Sequence, residues 1–343
     1  MRLASGHHDR TGRIWLCEGT NGNSNNSNSS CREVSSMVGH NAPVEHVKFS
    51  PSNAAIICSS ANDKSVRLWD LRVGNMNTNS NSNNFTPSSI YTNSLKCIQK
   101  IDLENSASSI DWAPDGMSLM VRMGDVVNVT DLSKISQKTL GNRVKATSIP
   151  ISLKIGDDQN LDTCGFSPCG NYIVAAVQNQ NKNGILKFFS IQRNKEDSAK
   201  EVHEIFGHTA PINSISFSRC GKNFTTTSKD GLVGVWDTKS LLCISMGGNS
   251  SEIKQAIFSH DSALIASGGR DHKVDILSTK SGQCIGSIPV QCGIDEICWS
   301  PSSHCLAFAA GAFKYVESPD AEDDRSRQRH PPPPITLARI MVA

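Results

Sequence analysis

Apolar residues in this chain come in short runs that alternate with polar ones and stop at turn residues. Val44, His46 and Lys48 lie opposite in phase to Val47 and Phe49, with His46 against the rule. The run closes on an aromatic and meets Pro51-Ser52-Asn53. A second run, Ile56-Ile57-Cys58, passes into small residues. Asn62-Asp63-Lys64 then turns the chain, and Val66, Leu68 and Trp69 form a third run. Period two within runs, with turn residues between them, predicts β-strands. No helical period is sustained anywhere along the chain.

This pattern repeats. The aromatics that close the first run of each repeat are Phe49, Trp112, Phe166, Phe217, Phe258 and Trp299. Their separations are 63, 54, 51, 41 and 41 residues. The last two match the period of roughly 40–45 of four-stranded propeller blades. The first is long because an Asn/Ser-rich insert of 21 residues, 74–94, interrupts it. A similar tract spans 19–30. Both lack the apolar surface to join a core and are read as loops, and their N-x-S matches, such as Asn28-Ser29-Ser30, follow from that composition. The expected fold is all-β: a seven-bladed β-propeller with its first and last blades incomplete. An end fragment covers 1–38, followed by blades near 40–101, 107–140, 151–191, 208–246, 252–288 and 293–343. The propeller occupies 1–315, and 316–343 is an acidic and basic, Pro-rich segment. Its closing run, Ile335 to Ile340, fits either a last-blade strand or an unrelated tail. The chain starts after the point where an innermost first-blade strand is expected, which would leave the ring unclosed and its sheet edges open to pairing.

Two blades carry a fixed constellation. Gly39-His40 precedes Trp69-Asp70, and Gly207-His208 precedes Trp236-Asp237. Ser59, Asp63 and Trp69 match Thr226, Asp230 and Trp236 at identical separations, and Ser5, Asp9 and Trp15 repeat the spacing at the N-terminus. These residues resemble the WD-repeat family. That resemblance implies a hydrogen-bonded chain in which His meets the Ser or Thr hydroxyl, the hydroxyl meets the indole N–H, and Asp holds the His. Such a chain specifies blade geometry, because losing one member leaves the others unsatisfied. His40, Ser59 and Asp63 also pass a search for a Ser–His–Asp triad. Their recurrence in a second blade and the lack of a G-x-S-x-G elbow favour the structural reading. No catalytic residue is expected.

Composition narrows the function. Lys plus Arg number 34 against 32 Asp plus Glu, a net charge of +2, which speaks against a dominant phosphate-binding surface. The 12 cysteines do not read as a disulfide framework: residues 1–9 are polar, without a signal-like apolar run, and no C-x-x-C pair occurs. Cys58 and Cys298 sit in apolar runs, where a thiol packs as a small hydrophobe. A reducing compartment, nuclear or cytosolic, is expected. Cys292, Cys298 and Cys305, with His304 adjacent, are too widely spaced for a zinc site and read as core residues. Asp157-Asp158 and the acidic run at 320–324 read as solvated loops. No metal, cofactor, small-molecule substrate or membrane span is expected.

The later blades are more individual. Phe258-Ser259-His260-Asp261, Leu264-Ile265-Ala266-Ser267 and Asp271-His272 lead to Val274-Asp275-Ile276, read as occupying the Trp-Asp position. Cys298-Trp299-Ser300-Pro301 and Leu306-Ala307-Phe308-Ala309 follow. With Trp112-Ala113-Pro114-Asp115-Gly116 and Gly124-Asp125-Val126-Val127, these segments resemble the WD-repeat subunits of the THO complex, part of the TREX assembly. The resemblance spans roughly 3–315 apart from the inserts. It implies a nuclear, non-catalytic scaffold that binds other THO/TREX subunits during mRNA export, with RNA contacted weakly or indirectly. Two alternatives remain. Trp69-Asp70-Leu71-Arg72 fits the W-D-x-R pattern of substrate receptors of cullin ubiquitin ligases, with Trp69, Asp70 and Arg72 as an adaptor motif. Arg325-Ser326-Arg327-Gln328-Arg329 is a basic cluster suited to RNA phosphates.

Overall fold

The computed structural model describes residues 2–17, 31–74, 93–132, 147–151, 153, 159–191, 199–248, 251–310 and 335–339. Every regular element among them is a β-strand. The chain divides into two compact units, one of 1–154 with 169–173 and 189–200, the other of 155–168, 174–188 and 201–343.

In the first unit, β1 (Arg2–Gly6), β2 (Thr11–Cys17) and β3 (Cys31–Val38) form an antiparallel three-stranded blade. Next, β4 (Val44–Phe49), β5 (Ile56–Ala61), β6 (Ser65–Gly74) and β7 (Asn93–Asp102) form a four-stranded meander. The outer strands β3 and β7 touch in parallel, Ser35 opposite Asn93 and Ser36 opposite Ser94. A further blade holds β8 (Ser109–Trp112), β9 (Ser118–Met123), β10 (Val126–Asp131) and β11 (Thr147–Ile151). The following sheet, β12 (Asn160–Phe166), β13 (Tyr172–Gln178), β14 (Gly184–Ile191) and β15 (Ala199–His208), has most of its residues in the second unit. Then come β16 (Ile212–Phe217), β17 (Asn223–Ser228), β18 (Leu232–Asp237) and β19 (Cys243–Gly248). The next blade is β20 (Ile253–Phe258), β21 (Leu264–Gly269), β22 (Lys273–Ser278) and β23 (Cys284–Pro289). Last are β24 (Ile294–Trp299), β25 (Cys305–Ala310) and β26 (Ile335–Arg339). Among the described residues this makes seven blades, the first and last with three strands each. The run at 335–339 is the third strand of the last blade, paired antiparallel with β25.

The second strand of each blade explains the composition. Five of six residues of β5 and of β17, and all six of β21, are buried. A strand covered on both faces reads as a continuous apolar and small run instead of an alternating one. Cys58-Ser59-Ser60, Thr225-Thr226-Thr227 and Ala266-Ser267-Gly268 supply the small side chains that let neighbouring sheets approach. The core lies between blades. Val66, Leu68, Ile110, Trp112, Leu119 and Val121 share one cluster, and Ala266, Ile276, Ile294, Ile297, Leu306 and Phe308 share another. Outer strands are different: β19 and β23 are mostly exposed.

Those outer strands correct three boundaries. The blade expected at 107–140 extends to Ile151, so residue 151 closes that blade and does not open the next. The blade expected at 151–191 extends to His208 as its fourth strand. The insert placed at 74–94 is shorter, because Asn93 and Ser94 belong to β7 and Gly74 to β6. A fourth correction concerns cysteine. Cys17 and Cys31 face each other at the end of the β2–β3 ladder and are joined by a disulfide. Of the other ten cysteines, four (Cys169, Cys220, Cys243 and Cys284) are exposed. The interiors of both inserts, Asp157-Asp158, the acidic run, the Arg325–Arg329 cluster and the Pro run lie outside the described residues.

Gly74 and Leu95 are register partners, so the ends of the second insert already stand opposite each other. Replacing 75–92 by a short turn is therefore expected to leave stability unchanged within about 1 kcal/mol, since closure entropy varies slowly with loop length. Loss of soluble β-rich protein, by circular dichroism, would assign the insert a structural role.

Candidate functional site

Each WD-type constellation is built where a loop enters a blade. In the second blade His40 precedes β4, Ser59 lies on β5, Asp63 in the β5–β6 turn and Trp69 on β6. Nε2 of His40 is 2.7 Å from Oγ of Ser59, and the Trp69 indole donates to the same oxygen at 2.8 Å. Nδ1 of His40 is 3.0 Å from Oδ2 of Asp63. One proton arrangement satisfies all four groups: indole N–H to hydroxyl oxygen, hydroxyl to Nε2, and Nδ1–H to carboxylate. Asp63 also accepts the backbone N–H of Asn41 at 3.0 Å and of Ser65 at 3.1 Å. Burial raises its carboxyl, but the Asn41 N–H, the Ser65 hydroxyl at 2.7 Å and His40 outweigh that effect and hold it at about 2.

The fifth blade repeats the geometry. His208 meets Thr226 at 2.8 Å and Asp230 at 3.1 Å, and Trp236 donates to Thr226 at 2.9 Å. Both imidazoles have their pKa lowered, by burial first, against the opposing pull of Asp63 or Asp230.

The N-terminal blade departs from this plan. Trp15 donates to Ser5 at 2.7 Å, but the imidazole on Ser5 is His7, two residues along the chain, also at 2.7 Å. Asp9 holds no imidazole: it accepts from Thr11 and Arg13. Sequence spacing found Ser5, Asp9 and Trp15 and missed His7, whose signal is its place in the turn after Ser5. In the sixth blade the Trp-Asp position is also corrected. Ile57 pairs with Trp69 and Phe224 with Trp236, and the corresponding Ile265 pairs with Leu277. Leu277-Ser278 thus stands there, and Asp275 instead faces Lys273 at 2.9 Å and accepts from Ser287.

The other two tryptophans have a different task. On inner strands, Trp112 donates to the Lys48 carbonyl at 3.2 Å and Trp299 to that of Ile257 at 3.1 Å, each tying one blade to its predecessor. At the adaptor motif, Trp69 is fully buried, while Arg72 is exposed and forks onto the Asp70 carboxylate, at 2.7 Å from Nη2 and 2.9 Å from Nε. Cys298 is half-buried, its thiol pushed up to about 12 by desolvation, and is the register partner of Ala307, whereas Cys305 is that of Arg339.

The WD domain, G-beta repeat family matches residues 31–70 and 199–237, the segments that hold the two complete networks. The chain is 25% identical over 311 residues to THO complex subunit 3 of Arabidopsis thaliana, covering 90% of this chain and 82% of that protein. It is 24% identical to the WD repeat-containing protein AAC3 of Dictyostelium discoideum, over 90% of this chain and 59% of the relative. Subunit I of eukaryotic translation initiation factor 3 from Aspergillus terreus is 22% identical over 71% of this chain and 65% of its own length. The chain thus carries WD repeats at 31–70 and 199–237, and its blade register and all-strand content fit a β-propeller.

Proposed function

We propose that the protein is a non-catalytic nuclear scaffold subunit of a THO/TREX-type assembly that couples transcription to mRNA export. The observation that carries this reading is the similarity to THO complex subunit 3 across 90% of the chain, the degenerate later blades included. The 1–315 propeller is the binding element, and its loops and edges are rigid enough to hold several partners at once. The His40, Ser59, Asp63 and Trp69 set and its His208 counterpart act as structural networks. Ser59 and Thr226 are fully buried and each already accepts an indole N–H, so neither hydroxyl can meet a substrate carbonyl. Near-balanced charge supports protein contacts over phosphate contacts.

The tagged protein, purified from nuclei after nuclease treatment, is expected to carry other THO subunits. Loss of every association on nuclease treatment would replace this reading by RNA binding. Recovery of a ubiquitin-ligase adaptor alone would favour the second reading, which rests on the exposed Arg72 guanidinium held in place by Asp70.

A further inference from the structure

Two turns in the second unit bring together side chains that neither the blade networks nor the scaffold reading uses. One is the turn at 259–263 between β20 and β21, and the other is the turn at 300–304 between β24 and β25. Ser259 donates to Oδ1 of Asp261 at 2.6 Å, and the Ala263 N–H donates to the same oxygen at 3.1 Å. This fixes the carboxylate and leaves Oδ2 pointing at the next blade, where Nε2 of His304 lies 3.1 Å away. The His260 ring meets the His304 ring edge-on, with centroids 4.6 Å apart. One donor atom from each of His260, Asp261 and His304 lies within 4.8 Å of the other two.

A His–Asp ion pair accounts for His304 but not for His260. Nδ1 of His260 is buried and has no hydrogen-bond partner. A buried polar atom without a partner is costly and calls for an explanation. The blade repeat adds a second sign. His260 directly follows Ser259, the residue after the inner-strand aromatic, where other blades have Pro51, Pro114, Pro168 and Pro301, and the fifth has Arg219. His304 stands two residues before Leu306, the register partner of Trp299. The same position in other blades is Ala55, Met117, Lys222 or Ala263. Histidine thus stands in both turns where none of these other blades has one, and the two turns are neighbours.

We propose that His260, Asp261 and His304 form a binding site for one divalent transition-metal ion of the zinc class, clamping the turn after β20 to the turn after β24. Two imidazoles and one carboxylate suit zinc and its neighbours better than magnesium or calcium, which prefer all-oxygen shells. Tetrahedral ligands about 2.0–2.2 Å from zinc lie roughly 3.4 Å apart, so closing the site takes a contraction of about 1 Å or more between half-buried and exposed side chains. Three protein ligands leave a fourth position for water or for a donor from a bound protein. Trp299, whose ring centroid is 6.2 Å from that of His304, backs the site.

The full chain, kept reduced with a phosphine, would be titrated with zinc against a chromophoric chelator and, separately, with cobalt for visible spectra. The wild type is expected to bind zinc at micromolar concentrations or below and to melt at a higher temperature when saturated, by mass action. The double variant His260→Gln/His304→Gln should weaken that event at least about a hundredfold, two ligands being lost, and abolish the zinc-induced rise. Asp261→Asn should weaken it at least about tenfold. Zinc-free melts verify that each variant is folded, and His304→Gln alone serves should the double variant not fold. Three results would overturn the site: no zinc bound by the wild type, zinc bound unchanged by the histidine variants, or cobalt thiolate charge-transfer bands that survive in those variants and so put the metal on cysteine.

Discussion

Trp69→Ala is expected to destabilise the protein by about 3–5 kcal/mol, the usual range for removing a fully buried large aromatic. Trp69 has no exposed surface and packs with Ile14, Met37, Ile57 and Leu95, residues contributed by two blades. The substitution opens a cavity at that junction and also removes the indole N–H from Ser59, ending the chain that runs on to His40 and Asp63. Trp69→Phe separates the two effects. It keeps most of the ring volume and loses the donor, so it should cost about 1–2 kcal/mol. Urea unfolding monitored by far-UV circular dichroism avoids the signals of the other four tryptophans. A loss below about 1 kcal/mol for the alanine variant would show that the junction collapses around the cavity or that the network carries little energy.

The blade period and the polar constellations were legible because both depend on residue types with few substitutes. An indole N–H, an imidazole and a carboxylate at fixed separations leave a plain trace in the chain. Outer strands left none. Ala199–His208, Cys243–Gly248 and Cys284–Pro289 are largely exposed, so their composition is that of loops, and the boundary at 208 was misplaced for that reason. Irregular alternation near Val44 has a geometric cause. The ladder slips by one residue between Val44 and His46, and again at Ile212–Ser214, Ile253–Gln255 and Ile294–Glu296. A bulge at the start of each of these inner strands inverts the phase of the remaining residues. In the sixth blade Leu277-Ser278 stands in place of Trp-Asp and the strand's only acid is Asp275, so the ladder register alone identifies the counterpart. Cys17 and Cys31 meet through hairpin pairing across an insert, and their separation in sequence carries no sign of it. His260 and His304 are 44 positions apart and meet only because consecutive blades stack their turns side by side. Cysteine spacing drew attention to His304 in the wrong company.

Asp230→Ala is expected to cost about 1–3 kcal/mol and to make stability fall further in mild acid. Its carboxylate is mostly buried and serves both sides of the turn: Oδ2 accepts from His208 at 3.1 Å and from the Thr209 N–H at 3.2 Å, and Oδ1 from the Leu232 N–H at 3.0 Å. Asp230→Asn has a single acceptor oxygen and can satisfy only one side, so it should fall between wild type and alanine. The acid effect arises from His208. Burial lowers its pKa from the ordinary 6.5, while the charge and hydrogen bond of Asp230 raise it. A group whose folded pKa is depressed gives stability that is complete above the unfolded value and lost as pH falls toward the folded one. Removing Asp230 deepens the depression, because only the raising influence disappears. The stability gap between wild type and Asp230→Ala should therefore widen as pH falls from about 7 to about 5, across the unfolded histidine value. His208→Gln combined with Asp230→Ala should remove that widening. A gap that stays constant over this range would mean that the carboxylate acts on the turn backbone alone and that His208 is held by Thr226 without it.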